Sequence, residues 1–203
     1  MRKLSGLLLA TLFVLCVPSL SQAIMIEIAP PVTTVQEGGS FDVSILVSGL
    51  EQDGNDEIVS AFDLFIDYDP TVIAANSVVF GSELGGILNG DFISPGQVEI
   101  FEISLFDDEF LAATQGDSVL LAVLTFDALA AGTSSLVFGQ PLPFLPPVDV
   151  KGRDGAVLDL AVNTARVIVE PAAIPEPTSL ALLGLGLFVM GALRRRPVVA
   201  RHN

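Results

Sequence analysis

Between residues 24 and 170, apolar and polar positions alternate with the two-residue period of a β-strand. Ile24, Ile26 and Ile28 alternate with Met25, Glu27 and Ala29. Phe41, Val43, Ile45 and Val47 alternate with Asp42, Ser44, Leu46 and Ser48. Phe62, Leu64, Ile66 and Tyr68 alternate with Asp63, Phe65 and Asp67. Further strand-like runs cover residues 97–106, 118–126, 134–138 and 165–170. Turn chemistry separates them: Glu37-Gly38-Gly39, Asp53-Gly54-Asn55, Asp69-Pro70, Asn89-Gly90, Ser94-Pro95-Gly96, Ala131-Gly132 and Asp154-Gly155. No helical period lasts more than three turns, and residues 111–114 predict a single turn. The pattern predicts an all-β sandwich of about seven to nine short strands, not an α/β fold. The proline-rich run at residues 141–147 predicts a loop across one end of the sandwich, since proline cannot serve a central strand. Residues 172–177 predict a short linker.

The two ends of the chain follow a different rule. Arg2 and Lys3 precede an apolar run at residues 7–17. Pro18 breaks it, and Ser21-Gln22-Ala23 supplies the small residues of a secretory cleavage site. A lipoprotein signal at Cys16 would need a small residue in front, and Leu15 is not small. Cleavage after Ala23 leaves a mature chain without cysteine, which excludes disulfides and thiol chemistry. At the other end, residues 178–193 form an uncharged run. As a helix it would span about 24 Å, slightly short of a hydrocarbon core of about 30 Å. Pro175-Glu176-Pro177 stands before it. Arg194, Arg195 and Arg196 follow it and place that end in the cytoplasm. The run reads either as a single-pass transmembrane anchor or as a processing signal. Three pieces result: a signal peptide at 1–23, a β domain at 24–172 and a tail at 173–203.

Charge sharpens the picture. The 203 residues carry 24 acidic and 9 basic side chains, a net charge of −15. Residues 24–174 hold 23 of the acids against Lys151, Arg153 and Arg166, so the middle alone carries −20. Such a body repels phosphate backbones, which excludes nucleic acid as a partner. The one histidine, His202, lies beyond the tail helix, so the body has no Ser-His-Asp or Cys-His arrangement and lacks zinc's usual ligands. Asp107-Asp108-Glu109 reads either as a glycosidase pair or as a solvated acidic loop, and the solvated loop is favoured. With no Trp, and Tyr68 at an inward strand position, the broad aromatic platform of a sugar cleft is absent. Residues 51–57 pack four acids and two amides into one turn. Asp53, Asn55, Asp56 and Glu57 are the candidate calcium ligands, with oxygen donors on a flexible loop. Ile58 and Leu64 stand where an EF-type loop needs glycine and the closing glutamate. A solvated loop is the competing reading, and no cofactor other than calcium is expected.

The order Pro175-Glu176-Pro177, short apolar helix, Arg194-Arg195-Arg196 resembles the PEP-CTERM sorting signal. That resemblance implies handling by an exosortase, a membrane-embedded transpeptidase-like protease, in Gram-negative lineages that form exopolysaccharide and biofilm. The tail would be removed near the Pro-Glu-Pro and the body released or attached at the cell surface. A second resemblance lies in the body. Residues 59–73, VSAFDLFIDYDPTVI, and residues 121–138, LAVLTFDALAAGTSSLVF, are similar to the strand ending in Tyr-Asp-Pro and the Leu-Ala-x-Leu-Thr-Phe strand of cohesins. Residues 37–47 fit the opening strand. The resemblance implies a jelly-roll sandwich; cohesins bind dockerin, but the matching positions are core and turn positions, so no binding surface transfers.

These readings converge on an exported, non-enzymatic surface or extracellular-matrix protein with a monomeric body. Its sandwich would bind protein or polysaccharide in exopolysaccharide or biofilm. A secreted carbohydrate-active enzyme using carboxylates alone is the alternative. Signal peptidase and an exosortase are the expected partners during export, and the tail helix would hold the chain in the membrane before processing. Intact-mass analysis of the native product is expected to show both ends lost, with a chain that begins near Ile24. A stable full-length product would contradict this.

Overall fold

The computed structural model describes residues 23–52, 55–140, 147–173 and 178–194. The signal peptide before Ala23, Asp53, most of the proline-rich loop, Pro175-Glu176-Pro177, Arg195 and Arg196 lie outside the described residues. The strands are β1 Met25–Ala29, β2 Val32–Gln36, β3 Ser40–Ser48, β4 Glu51–Gln52, β5 Asn55–Asp56, β6 Ala61–Asp67 and β7 Ile73–Phe80. They continue with β8 Leu88–Ser94, β9 Gln97–Ile103, β10 Ser118–Ala128, β11 Gly132–Phe138, β12 Val148–Lys151, β13 Ala161–Asn163 and β14 Ala165–Glu170. Helix α1 is Asp108–Thr114 and α2 is Thr178–Arg194.

Two sheets face each other. The first has the order β13-β1-β3-β10-β7 and the second β2-β14-β11-β6-β9-β8, with β12 also on β6; β4 and β5 form a separate hairpin. The alternation seen in the sequence is what closes the sandwich. Ile26, Ile28, Val43, Ile45 and Val47 bury from one side, and Phe62, Leu64, Ile66, Val98 and Ile100 from the other. Phe126 is fully buried between the sheets, stacked on Phe41 at 5.6 Å and met edge-on by Tyr68 at 5.3 Å. Tyr68 turns inward as its strand position predicts, and its hydroxyl donates to the Ser94 carbonyl at 2.9 Å.

Among the described residues the sandwich contains twelve strands, more than the seven to nine predicted. The additional ones are short edge or partner strands whose burial does not alternate cleanly, such as β8 and β13. Strand β6 takes β11 on the upper half of one edge and β12 on the lower half, so two chain segments fill one lane. Asn89-Gly90 is not a turn but lies inside β8. Gly90 is there because the Phe101 ring lies across it: a Cβ at that position would sit 2.6 Å from the Phe101 Cζ. The turn falls earlier, where Gly85 and Gly86 adopt φ of +96° and +66°. Helix α1 has two turns rather than one. Helix α2 forms over the predicted apolar run, but its 17 residues reach only about 25 Å. No helix among the described residues is long and apolar enough to cross a membrane.

The ends of the body are paired with each other. Strand β1 lies parallel to β13 and β2 parallel to β14. Ala23 lies against Gly49, just past the end of β3. Glu170 accepts from Glu37 at 2.9 Å, just before β3 begins. The chain therefore starts at one end of the sandwich and leaves for its tail at the other.

Phe62 is 3% exposed and stacks on Phe80 within this core, with ring centroids 6.4 Å apart. Phe62→Asp is expected to destabilise the fold by about 3–5 kcal/mol, enough to unfold a typical domain. A urea midpoint within experimental error of the wild type would contradict the assignment.

Candidate docking face

The outer faces of the two sheets differ in chemistry. The first sheet satisfies its own polar groups. Ser40 Oγ donates to Asp127 Oδ1 at 2.6 Å, Asn76 Nδ2 donates to Asp127 Oδ2 at 3.1 Å, and Thr125 Oγ1 donates to Asp42 Oδ1 at 2.8 Å. The second sheet presents apolar side chains on both of its faces. Inward residues Val98 and Ile100 of β9 alternate with outward Phe101 and Ile103, which are 40% and 52% exposed. Register places Leu88 opposite Ile103 and Phe92 opposite Glu99, and Phe92 is 65% exposed. The apolar surface continues past the strand ends to exposed Ile87 and Leu105 and to the Phe106–Phe110 pair, whose rings are 4.4 Å apart. This is the end of the sandwich opposite the departing tail.

Beside Phe101 a cavity of about 230 Å³ opens, lined by Ala61, Phe62, Asp63, Phe101, Ile103, Asp149 and Lys151. Asp63 on β6 stands directly opposite Asp149 on β12. Lys151 Nζ lies 2.7 Å from Asp149 Oδ1, an ion pair without hydrogen-bond geometry. Partial burial, and then the charge of Asp149, raise the Asp63 carboxyl above its ordinary range. The site thus offers an aromatic wall with two carboxylates and a single cation beside it.

Two of the other acidic candidates, Asp107 and Asp108, hold local structure together. Asp107 caps α1, its Oδ1 accepting from the Phe110 N–H at 2.8 Å, and Asp108 Oδ2 accepts from the Asp154 N–H at 2.8 Å. That is the work of a cap and a loop tether. In the calcium candidate, Asn55 and Asp56 belong to β5, paired with Gln52 and Glu51. The Glu57 N–H donates to the Leu50 carbonyl at 2.9 Å. Among the described residues, no three His, Cys, Asp or Glu side chains gather as a metal site. Ala23 is exposed beside Gly49.

The sequence reading missed the apolar face. Its signal was present in Ile100-Phe101-Glu102-Ile103, where large apolar residues occupy outward as well as inward positions. In a strand with a two-residue period, large apolar residues on both faces read as core.

With this geometry in hand, comparison with known proteins decides two points. Residues 173–196 match the PEP-CTERM protein-sorting motif. The described body superposes on cohesins. The chain carries a PEP-CTERM sorting motif behind a cohesin-like domain. A type II cohesin domain from the cellulosome of Acetivibrio cellulolyticus is similar with a TM-score of 0.58 at 19% identity, covering 72% of this chain and 95% of that one. The sixth cohesin of scaffoldin B from the same organism, solved in complex with a Cel5 dockerin, gives 0.56 at 16%, covering 73% and 100%. A non-cellulosomal cohesin from the archaeon Archaeoglobus fulgidus gives 0.54 at 14%, covering 79% and 98%. No curated protein matches this chain in sequence. At these identities the structural likeness establishes the cohesin-like fold.

On acidification Asp63 is expected to take its proton before Asp69, whose carboxyl is held below its ordinary range by the Thr71 hydroxyl and N–H. Carboxyl NMR titration checks the order, and Asp149→Asn should narrow the gap. Protonation of Asp69 first would contradict the geometry.

Proposed function

We propose that the body is an exported, non-enzymatic docking module that binds a partner protein on the outer face of the second sheet. The observation that carries this reading is the exposed row of Leu88, Phe92, Phe101 and Ile103 on a rigid sheet, next to a cavity with two carboxylates. Contiguous exposed aromatic surface on a soluble domain marks an interaction site, and aromatic anchors dominate the energetics of such sites. The cohesin-like fold supports a protein partner, since one similar cohesin was solved with a dockerin bound. The sorting motif supports export, with an exosortase acting on the tail and the body displayed at or released from the cell surface.

Charge selects the partner further. Asp63, Glu99 and Asp149 lie on or beside the apolar row, and the whole body carries −20. A second copy of this chain would meet the face with like charge, so self-pairing is disfavoured. The partner we infer presents an apolar patch edged with lysine or arginine. An exopolysaccharide lacks such a patch, and Tyr68, the one tyrosine, is buried.

The test uses the exported protein as an affinity reagent on the extracellular fraction, followed by direct binding of each captured component after purification. Phe92→Ser with Phe101→Ser is expected to weaken direct binding at least about 100-fold, in the range of hot-spot losses. Val79→Ser on the opposite sheet should leave binding unchanged. Raised salt should slow association. Equal binding by both variants, or a polysaccharide as the only directly bound component, would overturn the proposal.

A further inference from the structure

Glu102 is the one buried acidic side chain among the described residues, at 1% exposure. It sits on β9 in phase with Val98 and Ile100, at a position where a core residue belongs. Its Oε1 accepts the Gly86 N–H at 2.8 Å, and its Oε2 has no partner. A carboxylate in such a place is costly when ionised, because it has given up water and found one hydrogen bond in return.

Among the described residues, no cation is found to compensate it. Across the ladders, Phe62 lies opposite on β6 and Asn89 on β8. From the covering loop comes Glu83, a second acid, which itself accepts the Ser82 N–H. Burial lifts the Glu102 carboxyl above the ordinary glutamate range. The Gly86 bond offsets part of this, and the charge of Glu83 adds to it.

The cover is a short loop with two glycine hinge positions. Residues 82–87 carry two successive left-handed glycines, Gly85 and Gly86. The Gly85 N–H donates to the Ser82 carbonyl at 3.1 Å, and Leu84 is buried beneath. Gly85 lies so close under Phe106 that a Cβ there would come within 2.7 Å of its ring. A buried carboxylate has two ways to recover its lost solvation: it takes a proton, or its cover opens to water. Glycine hinges make the second route local rather than global.

We propose that Glu102 and residues 82–87 form a proton-operated latch: protonated Glu102 holds the loop down on β9, and ionised Glu102 releases it. Opening moves Gly85 from under Phe106 and shifts Ile87, which leads straight into Leu88. The apolar end of the docking face is then set by local acidity. That last consequence rests on the docking reading above; the latch does not.

Amide hydrogen exchange of the purified exported protein tests it, corrected for the intrinsic pH dependence of exchange. Protection of residues 82–87 is expected to fall by up to about tenfold per pH unit between the ordinary glutamate range and the raised Glu102 midpoint, and to level off above it, while that of β10 stays constant. Glu102→Gln, a neutral side chain of the same shape, should hold protection within about twofold over the same range. Equal loss in both proteins, or constant protection in the wild type, would overturn the latch. So would restored protection on adding calcium alone at neutral pH, which would make Glu102 and Glu83 cation ligands. Should the Gln variant fail to fold, carboxyl titration of Glu102 in the wild type decides. A midpoint above the ordinary glutamate range that coincides with loss of protection upholds the latch, and an ordinary midpoint ends it. Neither readout involves a partner, so failure of the docking reading would leave these results standing.

Discussion

The body depends on its first and last strands holding each other. Each strand of the first pair, β1 and β2, lies parallel to one of the last pair, β13 and β14, once in each sheet. Parallel neighbours cannot come from a tight turn, so nearly the whole body must fold before these ladders close. Their closure fixes which end of the sandwich releases the tail. It also fixes what stands at the other end: α1, the Phe106–Phe110 pair and the apolar end of the docking face. A chain held through its tail would therefore carry that apolar end outward, away from the surface that holds it.

The two outer faces divide two tasks that one sandwich cannot perform on one surface. The polar groups on the first sheet spend their hydrogen bonds on each other, which suits a face that meets only water. The second sheet buries apolar side chains inward and exposes others outward on the same strands. A net charge of −20 opposes pairing of such a surface with its own kind, since self-association would bring like charges together. The same charge would steer the basic partner proposed above toward it.

Much of the fold was legible in the alternation of residues 24–170, because each strand with one buried face writes its period into the sequence. Phe62, Leu64, Ile66 and Tyr68 turn inward as read. Where the reading failed, the period carried no information. Strands β8 and β13 lie at sheet edges and bury little, and Gly90 resembles a turn residue although its role is to clear space for Phe101. The docking face was hidden for the opposite reason: a strand apolar on both faces looks like a buried strand. Glu102 was hidden as well, since an acid at an inward position reads as a break in the pattern rather than as a buried group. The sorting signal was legible without any fold, because it is a linear order of motif, apolar run and arginines.

The central claim is that partner recognition belongs to the outer face of the second sheet. Site-specific photocrosslinking tests it most directly, with a photoreactive residue in place of Phe92 on that face or of Ser77 on the other. The account predicts a discrete adduct with one partner protein from position 92 and none from position 77. An adduct from position 77 alone, or equal adducts from both, would contradict it.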